Sequence, residues 1–346
     1  MVSGVSYRSY LFLLVVMSTW APNAQAQEDP VITETDNTFV KKLRRNSPRP
    51  KFFEFKYEGV EDFGVTAQSD ETGRSSSNVD LNKRVSFKLR APILLKPKFS
   101  LLTGISFKKE SFEFENTIPE NSPFFNEFNR RSLSKVGLSF ILKKNITDDK
   151  FYYAFLSGSL NSDDISFSDF TDKLKTSIVF IYVKNITAIT QIGYGGGFGY
   201  IFGGPSYFPV FIYNSTFSAR WNIEMMLPKS IALRFTPKPE TYLLLMTDVT
   251  GASYFIKNQP IEGYEKLTFQ RSTLEAKVIF EREIYDFIWF GVSAGLNIPL
   301  NLYLSEPGAS RKDGLVVLDG EISPILSFSI FLVVPKKIHY KNAKGR

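Results

Sequence analysis

Ten basic residues recur at one kind of position in this sequence. Arg84, Lys88, Arg90, Lys135, Lys173, Lys175, Arg220, Arg234, Arg271 and Lys277 fall on the polar beat of stretches in which alternate residues are apolar. Acids on that beat are fewer: Glu224, Glu275 and, at its edge, Glu281. A ring of fixed cations around a narrow pore attracts anions and repels cations. In a filled interior the same residues would pair with one another, because buried charges are normally paired. The sequence leaves both readings open, and the excess of bases tilts toward an open or partly open interior.

Other chemistry-bearing residues are sparse or badly placed. The chain has no Cys and a single His, His339. Without thiols there are no disulfides, thiolate metal sites or Cys nucleophiles. A Ser nucleophile needs a positioned base. His339 lies beyond the last patterned segment, so the chain is read as a non-enzyme. Asp163, Asp164, Asp169 and Asp172 crowd one polar stretch. As Ca²⁺ ligands they fall short: Ile165 stands where the next ligand is needed, and no Gly follows for the sharp turn. Solvated acids are expected there, with neither metal nor cofactor. Gly193, Gly195, Gly197 and Gly199 do not form a phosphate loop, since no helix and no Lys-Ser/Thr pair follows. They share one strand face, opposite Tyr194, Phe198, Tyr200 and Phe202. That face serves either as packing space for aromatic side chains within the sheet or as the seat of an internal plug, such as residues 27–50.

Strands must position all of these residues. From Phe287 onward the chain reads Ile288, Phe290, Val292, Ala294, Leu296, Ile298, Leu300, Leu302 and Leu304, with Gly291, Ser293, Gly295, Asn297 and Asn301 between. A period of two is a strand with one oily face. Soluble strands average about 5–6 residues, far fewer than here, whereas crossing hydrocarbon takes about 9–11. The reading is a barrel strand, apolar toward lipid and polar toward the interior. Similar alternation starts at Phe53 and recurs near 85–91, 99–107, 132–143, 150–160, 173–183, 187–202 and 210–217. A turn at Pro228-Lys229-Ser230 keeps Leu227 and Ile231 on one face. It also places the long connections at 257–266 and 305–318 on the same side of the membrane. The predicted fold is all-β: a transmembrane antiparallel up-and-down β-barrel of about 14 strands over residues 51–334. Reading Pro228 as a bend gives 12.

The ends point to export. Arg8 is the only charge in the first 26 residues, Tyr10 to Met17 is a short apolar run, and Ala24-Gln25-Ala26 is a small-x-small cleavage site. This predicts a signal peptide over 1–26. Residues 27–50 read as a polar periplasmic leader and 335–346 as a basic tail. Lys336, Lys337 and Lys341 of the tail would meet anionic headgroups or water. No segment has 18 consecutive apolar residues, which excludes a helical membrane protein. The formal charge of +7 becomes +6 without Arg8. Basic balance alone would suggest nucleic acid, but an exported chain lacking any such motif is not read that way. The 33 Phe and 16 Tyr suit aromatic girdles.

The signal peptide, the strand count and the segment Trp221 to Pro228 (WNIEMMLP), followed by an alternating run, resemble an uncharacterised outer-membrane β-barrel family of Bacteroidota. The resemblance covers about 51–334 and implies a bacterial outer-membrane location but little about activity. One departure stands out. Many bacterial barrels end on an aromatic residue read by the assembly machinery, whereas here the nearest, Phe331, is followed by a tail. The expected partners are outer-membrane lipid, the barrel-assembly machinery and a small anionic solute. The expected function is a passive channel for small anionic or polar solutes. The alternatives are a plugged barrel acting through its outer loops in surface binding or as a structural element, a barrel enzyme using loop carboxylates, and a soluble exported ligand carrier.

Overall fold

The structure, a computed structural model, describes residues 48–69, 73–115, 125, 128–129, 131–257, 266–309 and 311–336. The expected signal peptide, residues 27–47 of the leader and residues 337–346 of the tail lie outside the described residues.

Strands follow one another around a single closed sheet: β1 (Lys51–Ser69), β2 (Gly73–Lys96), β3 (Phe99–Phe114), β4 (Ser132–Asn145), β5 (Lys150–Ser162), β6 (Leu174–Asn185), β7 (Thr190–Phe202), β8 (Gly204–Thr216), β9 (Trp221–Leu227), β10 (Ser230–Lys238), β11 (Thr241–Lys257), β12 (Lys266–Tyr285), β13 (Ile288–Ser305), β14 (Val316–Gly320) and β15 (Ser323–Val333). The short β14 and the longer β15 run end to end between β13 and β1 and share one stave of the wall. The barrel therefore has fourteen staves. Pro228 turns a true hairpin, with β9 and β10 paired from Met226–Ser230 to Trp221–Phe235, so the count of twelve is overturned.

Alternation dresses the two faces differently. Phe55, Leu89, Ile105, Leu138, Leu156, Ile178, Leu245, Val292 and Phe328 stand exposed around the outer wall. A closed sheet leaves no unpaired edge, so such a belt fits hydrocarbon. Tyr152, Tyr182, Tyr194 and Phe211 are successive register partners across β5–β8. Their tyrosine rings lie 5.5 and 5.4 Å apart, an aromatic row of the kind that marks a membrane interface. One end of the barrel carries six turns of two to four residues, and the other carries the long connections. At the short-turn end Arg49, just ahead of β1, reaches Glu283 at 2.8 Å and Asp286 at 3.1 Å.

The wall narrows toward the long-loop end. The tops of β5 and β11 meet directly, with Phe255 opposite Ser162 in the only parallel pairing among the described residues. The Asn161 amide donates to the Ser253 carbonyl at 3.0 Å across that junction. Staves β6–β10 stop below it. The tip of the β7–β8 hairpin leans over them onto β11, where a Cβ on Gly251 would lie 2.0 Å from the Tyr200 carbonyl oxygen. Above the junction the ring consists of β1–β5 and β11–β14. A barrel of about eight strands is just filled by its own side chains, and this upper ring of nine staves is filled likewise. Its plug is a buried apolar cluster that includes Val60, Phe63, Val79, Phe114, Phe128, Leu133, Tyr254, Phe269 and Leu304.

Local slips of register supply that plug. The backbone takes a left-handed conformation at Asp62 (φ 45°) with its register against β2 kept, and the β2–β3 register shifts between Val79 and Leu81. Beyond these points Phe63, Val65, Ala67 and Val79 turn inward. In β13 the register against β12 shifts between Ser272 and Thr273. The expected lipid-facing run from Ile288 holds through Leu300, but Leu304 lies in the plug and Leu302 packs against it.

Candidate functional site

Beneath the apolar plug, a band of charge crosses the interior. Glu58, Arg84 and Glu110 are register partners on β1, β2 and β3. The Arg84 guanidinium, 3% exposed, lies 3.4 Å from Glu58, 3.4 Å from Glu110 and 2.9 Å from Glu275 of β12. Arg271 of β12 reaches Glu110 at 2.8 Å. Lys277 pairs with Glu275 and stands 3.9 Å from Glu58, while Lys56 pairs with Glu58. Strands β2 and β3 are not neighbours of β12 in the wall, so these contacts are made through the barrel's interior. Arg84 and Arg271 are therefore interlocked with carboxylates rather than ringed around open water.

The next register row down is different. Lys56, Ser86, Lys108 and Lys135 succeed one another across β1–β4, all on the inward beat. Lys108 and Lys135 have no hydrogen-bond or ion-pair partner among the described residues. One row lower Lys88 stands 3.7 Å from Glu54, its side chain 49% exposed. Arg90, lower still, is exposed. Water thus reaches the interior up to this level from the short-turn end. Lys229, in the β9–β10 turn, adds its charge to those acting on Lys88 and Lys135.

The remaining basic positions lie elsewhere. Arg234 pairs with Glu224. With Arg220 they line a cavity of about 450 Å³ between β8 and β11, shared with Asn214, Asn222 and Met246. Lys173 closes a single helical turn, α1 (Phe170–Lys173), in the β5–β6 connection. It is fully buried there and donates to the Ser166 carbonyl at 3.0 Å. Lys175 donates to the Asp172 carbonyl at 2.8 Å. Lys336 of the tail reaches Glu283 at 2.7 Å. The sequence reading missed Lys56, Glu58, Lys108 and Glu110. Each occupies the same inward beat as Arg84, and that beat was the signal that would have found them.

The acidic connection is neutralised by its neighbours. Asp163 meets Arg131 at 2.6 Å, Asp169 meets Lys257 at 2.9 Å, and Asp172 meets Lys266 at 2.9 Å. Hydrogen bonds from Lys257 and Lys266 hold the Asp169 carboxyl below its ordinary range. Hydrogen bonds from Ser166 do the same for Asp164. Among the described residues, no group of three or more metal-ligating side chains converges, and His339 lies outside them.

The glycine row of β7 faces inward between two apolar flanks. Val183 and Ile212 flank Gly193, Ile181 and Val210 flank Gly195, and Val179 and Phe208 flank Gly197. A Cβ on Gly197 would lie 2.8 Å from the Phe208 ring, and one on Gly199 would lie 2.7 Å from the Ser177 hydroxyl. The room left by these glycines is taken by adjacent side chains. At Gly195 the obstacle is backbone: a Cβ would lie 1.9 Å from the Phe180 carbonyl oxygen. Gly195→Ala is therefore expected to cost about 3 kcal/mol or more, since the ladder cannot yield as a side chain can. Loss of the folded, heat-modifiable band on a gel checks it, and a fully folded variant contradicts it.

Such a wall satisfies both its faces in one setting only: hydrocarbon around it, water and fixed charge within. It is the wall of a transmembrane β-barrel. The chain belongs, over residues 53–311, to the family described as Domain of unknown function (DUF6268). Similar solved structures include an outer membrane channel from Pseudomonas putida F1, 9% identical, covering 83% of this chain and 97% of that one with a TM-score of 0.40. The P. putida toluene transporter TodX is 10% identical over 84% of this chain and 92% of its own, with a TM-score of 0.35. The translocator domain of the autotransporter NalP from Neisseria meningitidis is 6% identical, covering 86% and 92%, with a TM-score of 0.32. No curated protein matches the sequence significantly.

Proposed function

We propose that this chain is a bacterial outer-membrane channel for small anionic or polar solutes, with its narrow upper ring closed in this conformation. The observation that carries the reading is the wet interior below the ring, where Lys88, Arg90, Lys108, Lys135 and Lys229 outnumber Glu54 and Asp248. Fixed positive charge in a confined aqueous space favours anions. The long-loop end faces the outside and the short-turn end the periplasm, as in bacterial barrels generally.

Planar-bilayer recording in a KCl gradient tests it. Openings of the folded protein are expected to reverse on the chloride side. Arg90→Glu combined with Lys88→Glu is expected to carry the reversal potential toward the potassium side, because both side chains are solvated and their replacement leaves the buried band intact. Unchanged selectivity would contradict the assignment of the interior. The filled upper ring favours a second reading, a plugged barrel that acts through its outer loops. Silence in the bilayer from folded protein, both wild type and Phe269→Ala, would establish that reading instead.

A further inference from the structure

The strongest unexplained feature is a pair of facing cations. Lys108 on β3 and Lys135 on β4 are direct register partners on the inward beat. Directly opposed side chains in an antiparallel pair have Cβ atoms about 4.5–5.5 Å apart, and like charges so placed repel. The carboxylate that acts most strongly on Lys108 is already shared: Glu110 forms ion pairs with Arg271 at 2.8 Å and Arg84 at 3.4 Å. Lys135 faces the charges of Lys88 and Lys229 and no carboxylate. Around Lys108 the interlocked band holds Lys56, Arg84, Arg271 and Lys277 against Glu58, Glu110 and Glu275, so it has no negative charge to spare. Among the described residues, a half-buried pair with this surplus lacks a counter-charge. The row is wet from below, since Lys88 is half-exposed beside it. An anion entering from the short-turn end therefore reaches it.

We infer that Lys108 and Lys135, with Lys88 one row beneath them and Lys229 adding its charge to Lys88 and Lys135, form a binding site for a small oxyanion carrying at least two negative charges, of the size of inorganic phosphate. Two ammonium groups one cross-strand spacing apart suit two oxygens of one anion and give it charge-assisted hydrogen bonds. Ser86 and Ser106 neighbour Lys108 and Lys88 in the same two rows and supply hydroxyl donors. A monovalent ion such as chloride makes one such contact at a time and binds less well. The site names the solute class of the proposed channel and rests on that reading for its physiological meaning. Occupancy itself requires no conduction.

The test is equilibrium binding of inorganic phosphate to the full chain folded in detergent at low ionic strength, followed by calorimetry. Saturable binding is expected, competed only weakly by chloride. Lys108→Gln with Lys135→Gln should weaken it by about tenfold or more, the scale of losing charge-assisted hydrogen bonds. The arginine pair at the same positions should retain it. Thermal unfolding supplies a readout independent of affinity. Without phosphate the glutamine pair should unfold at a higher temperature than wild type, because the repulsion is gone. Added phosphate should raise the midpoint of wild type and not of the variant. Should the double variant fail to fold, Lys135→Gln alone replaces it, with the same signs. No saturable phosphate binding to wild type, or binding unchanged by the substitutions, overturns the site. Phosphate binding without bilayer current would keep the site and remove the channel; current without phosphate binding would do the reverse.

Discussion

Arg84→Gln is expected to lower the stability of the folded barrel by about 3–5 kcal/mol, the cost of breaking a buried ion pair from one side. Arg84 is the member of the band that touches three carboxylates, Glu58, Glu110 and Glu275, and it joins β1, β2 and β3 to β12. Its Nε also donates to the Asn82 side-chain oxygen at 2.7 Å. Removing the guanidinium leaves Glu275 with Lys277, and Glu110 with Arg271, so the loss is large but not total. Urea unfolding of the barrel in lipid vesicles measures it. Lys88→Gln, with its half-exposed side chain, is the control and should change little, because solvated ion pairs contribute about 0–1 kcal/mol. Equal effects of the two substitutions would mean that the buried band does not hold the opposite walls together.

The second large effect is expected at Phe269. Its ring, 2% exposed, lies 4.9 Å from that of Phe128 and 6.4 Å from that of Phe112, centroid to centroid. Phe112 belongs to β3 and Phe269 to β12, so this contact too spans the interior. Phe269→Ala is expected to cost about 3–5 kcal/mol through lost burial and the cavity left behind. In a bilayer it should open the path: apolar constrictions hold back water and ions by dewetting, and a vacated phenyl admits both. More frequent and larger openings than wild type are expected, with the same anion preference, since the solvated cations are untouched. A destabilised variant as silent as wild type would place the closing contact lower, in the charged band.

Much of the architecture was written in the alternation itself. Loop lengths and parity around Pro228 fixed the hairpin there and the fourteenth stave. Two features escaped for a physical reason. A period of two tells which residues share a face but not which face looks outward. A one-residue slip exchanges the faces without disturbing the alternation. Hence Leu302 and Leu304 continue the run from Ile288 unbroken in sequence yet change sides in space. The β7–β8 connection also turns tightly at Gly203, where the sequence showed strands only to about 202 and from about 210. Of the candidate site, the inward basic residues were visible, but their partners were not. Glu58, Glu110 and Glu275 stand on strands far apart in sequence, and only closure of the sheet brings them to Arg84. That Lys108 and Lys135 find no partner among the described residues is likewise a fact of three dimensions.

The direct meeting of β5 with β11 narrows the barrel wall in one step. The narrow part is set by one parallel contact, Phe255 opposite Ser162. The bore loses five staves at a single depth, so the narrowing is abrupt and is not spread over the full height of the wall.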